Sequence, residues 1–254
     1  MRNKTILLAA LGLLSGCATP VGDHHPEWKA YFDRYHAQGC ITVYDASAAV
    51  FIDYNADRCV QRFAPNHTLV LPCALMAMQS GLAADTTALL PVEQAPTSLA
   101  QFVRTCEPRS VDELARLLRQ QPLQRYLQRI GYGNQQFHFN SDDPLRPRRT
   151  AISADEQVRF LKKLRTGALR TSPEQLYQLI GLMRQPADSS TKLYALASPA
   201  DTITTGWYIG WIEKENRAWY FALNYEFLPH APAWPVDAGR NITHAILREL
   251  KLLP

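Results

Sequence analysis

Ten residues from Thr5 to Leu14 (TILLAALGLL) form an apolar run behind the basic Arg2 and Lys4. Such a run is too short to cross a bilayer, which takes about 20 apolar residues. Beyond it the pattern changes repeatedly. EWKAYFDRY places Trp28, Tyr31, Phe32 and Tyr35 on one face of a helix over Glu27–Tyr35. Cys40–Tyr44 and Ala49–Tyr54 are rich in β-branched and aromatic residues, and Asp45-Ala46-Ser47 between them predicts a β-hairpin. A buried helix follows Pro72 (CALMAMQS) and stops at Gly81. Residues 83–105 read as irregular. Ser110–Ile130 is amphipathic with helical period, interrupted near Pro122, and Tyr132-Gly133-Asn134 is a turn. A long loop covers 135–150. Ser153 with Glu156 three residues on is a capping box, and Val158, Leu161 and Leu164 give its helix an inward face. A helix over Pro173–Met183 precedes two strands, Thr205–Glu213 and Ala218–Asn224, turned by Lys214–Arg217, and a last helix spans Asn241–Leu250.

Hairpin, helical middle, hairpin and helix, in that order, predict one α+β domain. An antiparallel sheet built from the N- and C-terminal hairpins packs on the helical middle. The predicted boundaries are a leader over 1–17, a tether over 18–26 and the domain over 27–254. An apolar fraction of 46% in 254 residues suffices for a full core. The net charge is +4 with scattered basic residues, which argues against nucleic-acid binding. The run Arg146-Pro147-Arg148-Arg149 reads as a solvated loop.

The leader ends in Leu14-Ser15-Gly16-Cys17. This resembles a bacterial lipobox, which implies cleavage before Cys17 and lipid attachment to it. An ordinary secretory signal cut nearby is the alternative. Ala18, where Asp would imply inner-membrane retention, implies the outer membrane, facing the periplasm. Anchoring there follows from the acyl chains. The adjacent His24-His25 would be flexible. Cys40, Cys59, Cys73 and Cys106 remain, at spacings of 19, 14 and 33. An even number in an oxidising compartment invites two disulfides, with four buried thiols the alternative. No spacing is of the metal-binding type, so no metal and no cofactor are expected.

Gly39-x-x-x-Val43-Tyr44-Asp45, Tyr132-Gly133-Asn134 and Tyr220-Phe221-Ala222-Leu223-Asn224, together with the stretches between them, resemble the class D (oxacillinase-type) serine β-lactamases, which share a fold with penicillin-binding transpeptidases. The resemblance is carried by Gly39-x-x-x-Val43-Tyr44-Asp45, Tyr54-Asn55-x-x-Arg58, Arg62-Phe63-x-Pro65 and Pro72-x-Ala74-Leu75. It continues in Ile130-Gly131-Tyr132-Gly133-Asn134, Ile152-Ser153-Ala154-x-x-Gln157, Gly206-Trp207-Tyr208-Ile209-Gly210-Trp211 and Tyr220-Phe221-Ala222-Leu223-Asn224. The family's Ser-x-x-Lys box, which supplies nucleophile and base, falls on His67-Thr68-Leu69-Val70, in a register pinned by Pro65 and Pro72. Its Ser-x-Val box falls on Cys106-Glu107-Pro108. Its Lys-Thr-Gly box falls on Leu196-Ala197-Ser198. The Trp that shields the carbamylated Lys aligns with Leu145, and the carboxylate-binding Arg falls near Gly239 or Arg240. Only the Tyr132-Gly133-Asn134 box remains, and its Tyr and Gly can serve turn geometry alone.

The resemblance therefore implies the family fold without its chemistry. It leads to a catalytically inactive lipoprotein that binds an envelope protein or a peptidoglycan peptide. A penicillin-binding protein or weak β-lactam hydrolase is the alternative. The family fold also implies a Cys73–Cys106 disulfide across the cleft and a Cys40–Cys59 disulfide around the first hairpin. A Cys106–His67 nucleophile–base pair competes with the first of these.

Overall fold

The computed structural model describes residues 22–92, 95–105, 110–138, 150–200 and 205–254. Its centre is a seven-stranded sheet in the order β1-β3-β2-β9-β8-β7-β6. The strands are β1 (Asp23–His24), β2 (Ala37–Asp45), β3 (Val50–Tyr54), β6 (Arg184–Gln185), β7 (Thr191–Ser198), β8 (Gly206–Lys214) and β9 (Arg217–Phe227). The two hairpins are joined through β2 and β9, with Ala37 opposite Phe227 and Asp45 opposite Trp219. The sheet thus uses both ends of the chain, as the element order predicts. It is antiparallel except at one edge, where β1 runs parallel to β3 with Asp23 opposite Ile52.

Both faces of the sheet are covered. Trp207, Ile209 and Trp211 of β8 pack into a core shared with the helical middle, while Tyr208 and Ile212 pack against the terminal helices. That explains why β8 reads as one continuous apolar run rather than as an alternation. The terminal layer is α1 (Lys29–Asp33), preceded by a 3-10 turn at Pro26–Trp28, together with α9 (Ala238–Glu249). Trp28, Phe32, Ile242 and Ile246 are its buried anchors. Trp28 Nε1 donates to Glu249 at 2.8 Å and the Tyr31 hydroxyl donates to the same carboxylate, so the two ends of the domain are clasped.

The helical layer starts with α2 (Ala56–Cys59) and α3 (Val70–Gln79). Helix α3 begins two residues before Pro72, which its first turn tolerates. Residues 83–105 are not irregular throughout. They contain a two-stranded ribbon, β4 (Leu89–Leu90) with β5 (Thr97–Ser98), and α4 (Leu99–Arg104), capped by Ser98 accepting from Gln101 N at 3.2 Å. The amphipathic stretch is broken at Arg119, whose φ is +63°, and not at Pro122. It divides into α5 (Ser110–Leu118) and α6 (Gln120–Ile130), with Pro122 in the first turn of α6. Helix α7 (Ala154–Arg165) carries the expected capping box, and α8 (Pro173–Leu182) is capped by Ser172.

Two further expectations change, and the turn over Lys214–Arg217 is kept. β6 and β7 extend the C-terminal hairpin, in a stretch where Lys192 and the flanking Pro186 and Pro199 obscure the strand pattern. The β8–β9 turn has two central residues, Glu215 and Asn216, both at positive φ, a geometry that follows the right-handed twist of the strands. His24 and His25 are held rather than loose. His24 Nδ1 lies 2.6 Å from Asp53 Oδ1, and the His25 ring stacks 4.2 Å from that of Trp28 and bonds Glu27. The folded domain therefore reaches back to Asp23, into the predicted tether. Among the described residues no helix is long and apolar enough to cross a membrane.

Candidate functional site

The turn Asn66–Leu69 feeds directly into α3 and is latched to the sheet. Asn66, at φ +48°, donates its side-chain amide to Thr205 O at 2.6 Å. His67 N donates to Ser198 Oγ at 3.1 Å, and Trp207 Nε1 donates to Ala64 O at 2.8 Å. Positions 67 and 198 are thus brought together across a gap of 131 residues. The His67 side chain is buried, with Nε2 3.2 Å from Val103 O. That contact makes Nε2 the protonated nitrogen and leaves the lone pair on Nδ1, which is buried without a partner among the described residues. Burial pulls the imidazole below its ordinary range, against the opposing effect of the Val103 carbonyl, so the ring is neutral at pH 7.

Val70, the first residue of α3, is fully buried and offers only a hydrocarbon side chain. Cys73 lies one turn on, also buried. Thr68 Oγ1 donates to Pro65 O at 2.7 Å and accepts from Gln157 Nε2 of α7 at 2.8 Å. Gln157 is wholly buried, a polar residue on the apolar face of α7. Its role was missed in the sequence, although a Gln in phase with Val158, Leu161 and Leu164 is the signal of such a buried tie. Tyr132 is buried edge-on to Phe160, with centroids 5.1 Å apart, and burial pushes its phenol well up.

Gly133 has φ +52°, and a Cβ there would stand 2.2 Å from Ala151 O. Asn134 bonds Ala151 twice: its backbone N donates to Ala151 O at 2.8 Å, and its side-chain Oδ1 accepts from Ala151 N at 3.0 Å. This box therefore ties α6 to the strand-like approach to α7. On β7, Leu196 is buried in the core that α3 shares. No cation stands at that position. Gly239 lies in α9 against Tyr225, and Arg240 pairs with Asp237 at 3.0 Å. Cys17, Cys106-Glu107-Pro108 and Leu145 lie outside the described residues, so the Cys73–Cys106 and Cys106–His67 pairings do as well.

Cys40 of β2 and Cys59 of α2 are brought together, as expected. They stand as thiols and not as a disulfide. The contact with Cys40, and then burial, push the Cys59 thiol up. His25, Glu27 and Glu249 offer ligand atoms within 4.8 Å of one another, but those atoms already serve the hydrogen bonds that clasp the termini.

A sheet covered by terminal helices on one face, a helical lobe on the other, and an α3 that starts beside the late strand β7 make up the fold of the serine β-lactamases and penicillin receptors. The C-terminal domain of the Bacillus licheniformis BlaR penicillin-receptor superposes with a TM-score of 0.79 at 22% identity, over 93% of this chain and all of that one. The class D β-lactamase FUS-1 (OXA-85) from Fusobacterium nucleatum subsp. polymorphum gives 0.80 at 20% identity, over 91% of this chain and all of that one.

In sequence the chain is similar to class D β-lactamases over most of its length. It is 25% identical to β-lactamase OXA-48 of Klebsiella pneumoniae, covering 89% of each. It is 28% identical to β-lactamase OXA-20 of Pseudomonas aeruginosa, covering all of this chain and 98% of that one. No family model matches it.

Proposed function

We propose that this chain is a catalytically inactive relative of the class D β-lactamases, held at the bacterial envelope by a lipid on Cys17, where it binds a partner instead of turning over β-lactams. The observation that carries this reading is the pair His67 and Val70 at the start of α3. A neutral, buried imidazole stands where the family has its hydroxyl nucleophile, and a valine, which cannot take a proton, stands where it has its base. Leu196 removes the carboxylate-recruiting cation as well. Catalytic groups of this kind act as a unit, so the loss of several leaves little beyond binding. The partner is an envelope protein or a peptidoglycan peptide, and the outer membrane is the location that Ala18 supports.

Incubation of the purified protein with a fluorescent penicillin tests the reading. No covalent band is expected, and none after prolonged incubation. A stable labelled adduct would overturn it in favour of a penicillin-binding protein. The likeness to the penicillin-receptor domain gives that alternative its standing. The anchor is tested by detergent-phase partitioning of the chain expressed in a Gram-negative host. The parent enters the detergent phase and Cys17→Ala the aqueous phase; a parent found in the aqueous phase removes the lipid from the proposal. An envelope location also favours oxidation of the adjacent Cys40 and Cys59 thiols. The intact mass without reductant would then be lower by two hydrogens, and an unchanged mass would exclude the bond.

A further inference from the structure

At the far end of α3 from Val70, roughly 14 Å along the helix, an open cavity of about 720 Å³ lies between α3, α6 and the start of α8. It is large enough for a small organic ligand. Arg125, Tyr126 and Arg129 reach it from successive turns of one face of α6, and Arg170 reaches it from the segment leading to α8. None of its lining residues is acidic. Among the described residues none of the three arginines has a carboxylate partner, whereas Arg58, Arg62, Arg165 and Arg217 each do. Arg129 is held instead by Gln79 Oε1 at 3.0 Å and by the Tyr126 ring, 4.9 Å from its guanidinium carbon. Arg170 is held at φ +56°, a left-handed conformation that a non-glycine side chain adopts at a cost. The amino-terminal end of α8 also opens here through Ser172 and Gln175, adding the positive end of a ten-residue helix.

Three guanidinium groups line one cavity with no carboxylate partner among the described residues, and a ligand bearing at least two negative charges would supply that partner. Guanidinium forks match carboxylate and phosphate oxygens in geometry. Met76, Met78, Pro122 and Tyr126 supply the apolar part of the lining, and Gln79, Ser80, Ser172 and Gln175 supply neutral polar groups. We propose that this cavity is a second ligand site, separate from the cleft at His67, which takes a small dianion carried on an apolar or aromatic body. The site does not depend on the function proposed above, since none of its residues belongs to the altered boxes.

Isothermal titration of the mature protein with phenyl phosphate and with phthalate tests it, with phenol as the uncharged control. Saturable binding of at least one dianion is expected, with none of phenol. The tighter of the two tells a phosphomonoester site from a dicarboxylate site. Arg125→Gln and Arg170→Gln are each expected to weaken binding about tenfold and to leave the thermal midpoint without ligand unchanged, because both side chains are exposed. Absence of saturable binding by both dianions, equal binding of phenol, or unaltered affinity in both variants would overturn the proposal.

Discussion

His67 is buried in the turn that leads into α3, and its surroundings set its chemistry. Its imidazole is depressed by burial, and so is that of His244, pushed down to about 4 by burial and then by Arg248 and Arg240. Both are bases whose folded form resists protonation. Below their ordinary value of 6.5 the unfolded chain takes up protons that the folded chain does not, so stability falls as the pH drops from 6.5 towards 4. This is the reverse of a histidine stabilised by an acid. The urea midpoint is expected to fall between pH 7 and pH 5, and His67→Gln is expected to flatten that fall. An equally steep fall in the variant would show that the imidazole is not the group responsible. The identity of residue 67 was legible in the sequence. Its neutrality was not, because burial under Val103 and the latch to Ser198 come from segments 36 and 131 residues away.

At the scale of elements, local signals predicted well wherever the energetics are local. The capping box of α7 is formed from Ser153 Oγ accepting from Glu156 N at 3.2 Å and Glu156 Oε2 accepting from Ser153 N at 3.0 Å. Glu156 has a second duty that the box does not announce. It takes a forked pair of bonds from Arg62, next to the Phe63–Ile152 bridge that leads into the His67 turn. Ser153→Ala is expected to lower stability by about 1 kcal/mol. Glu156→Ala is expected to lower it further, since it also releases Arg62. Chemical denaturation of both variants checks that order. The division of α5 from α6 was misplaced at Pro122 because proline fits the first turn of a helix, while the actual break rests on the backbone of Arg119. β7 is not legible in the sequence, since its own pattern is short of contrast.

In the whole molecule, the N- and C-terminal elements close on each other. β2 pairs with β9, and α1 lies beside α9 with Glu249 accepting from both Trp28 and Tyr31. Glu249→Ala is expected to destabilise the domain by about 1–3 kcal/mol. Its effect should shrink in a Trp28→Phe background, where one donor is already gone. Equal losses in both backgrounds would show that the clasp is not coupled.

Local sequence specified the alternation of hairpins and helices, the caps and turns that punctuate them, the α+β class and the identities of His67, Val70 and Leu196. Each of these is written in residues a few positions apart or in a single identity. It took the tertiary structure to show that Cys40 meets Cys59, that Gln157 ties Thr68, that the sheet gains the parallel β1, and that Arg125, Arg129 and Arg170 line one cavity with no carboxylate partner among the described residues. Those contacts join segments far apart in the chain. Their positions follow from how the two faces of the sheet are buried, which no local pattern specifies.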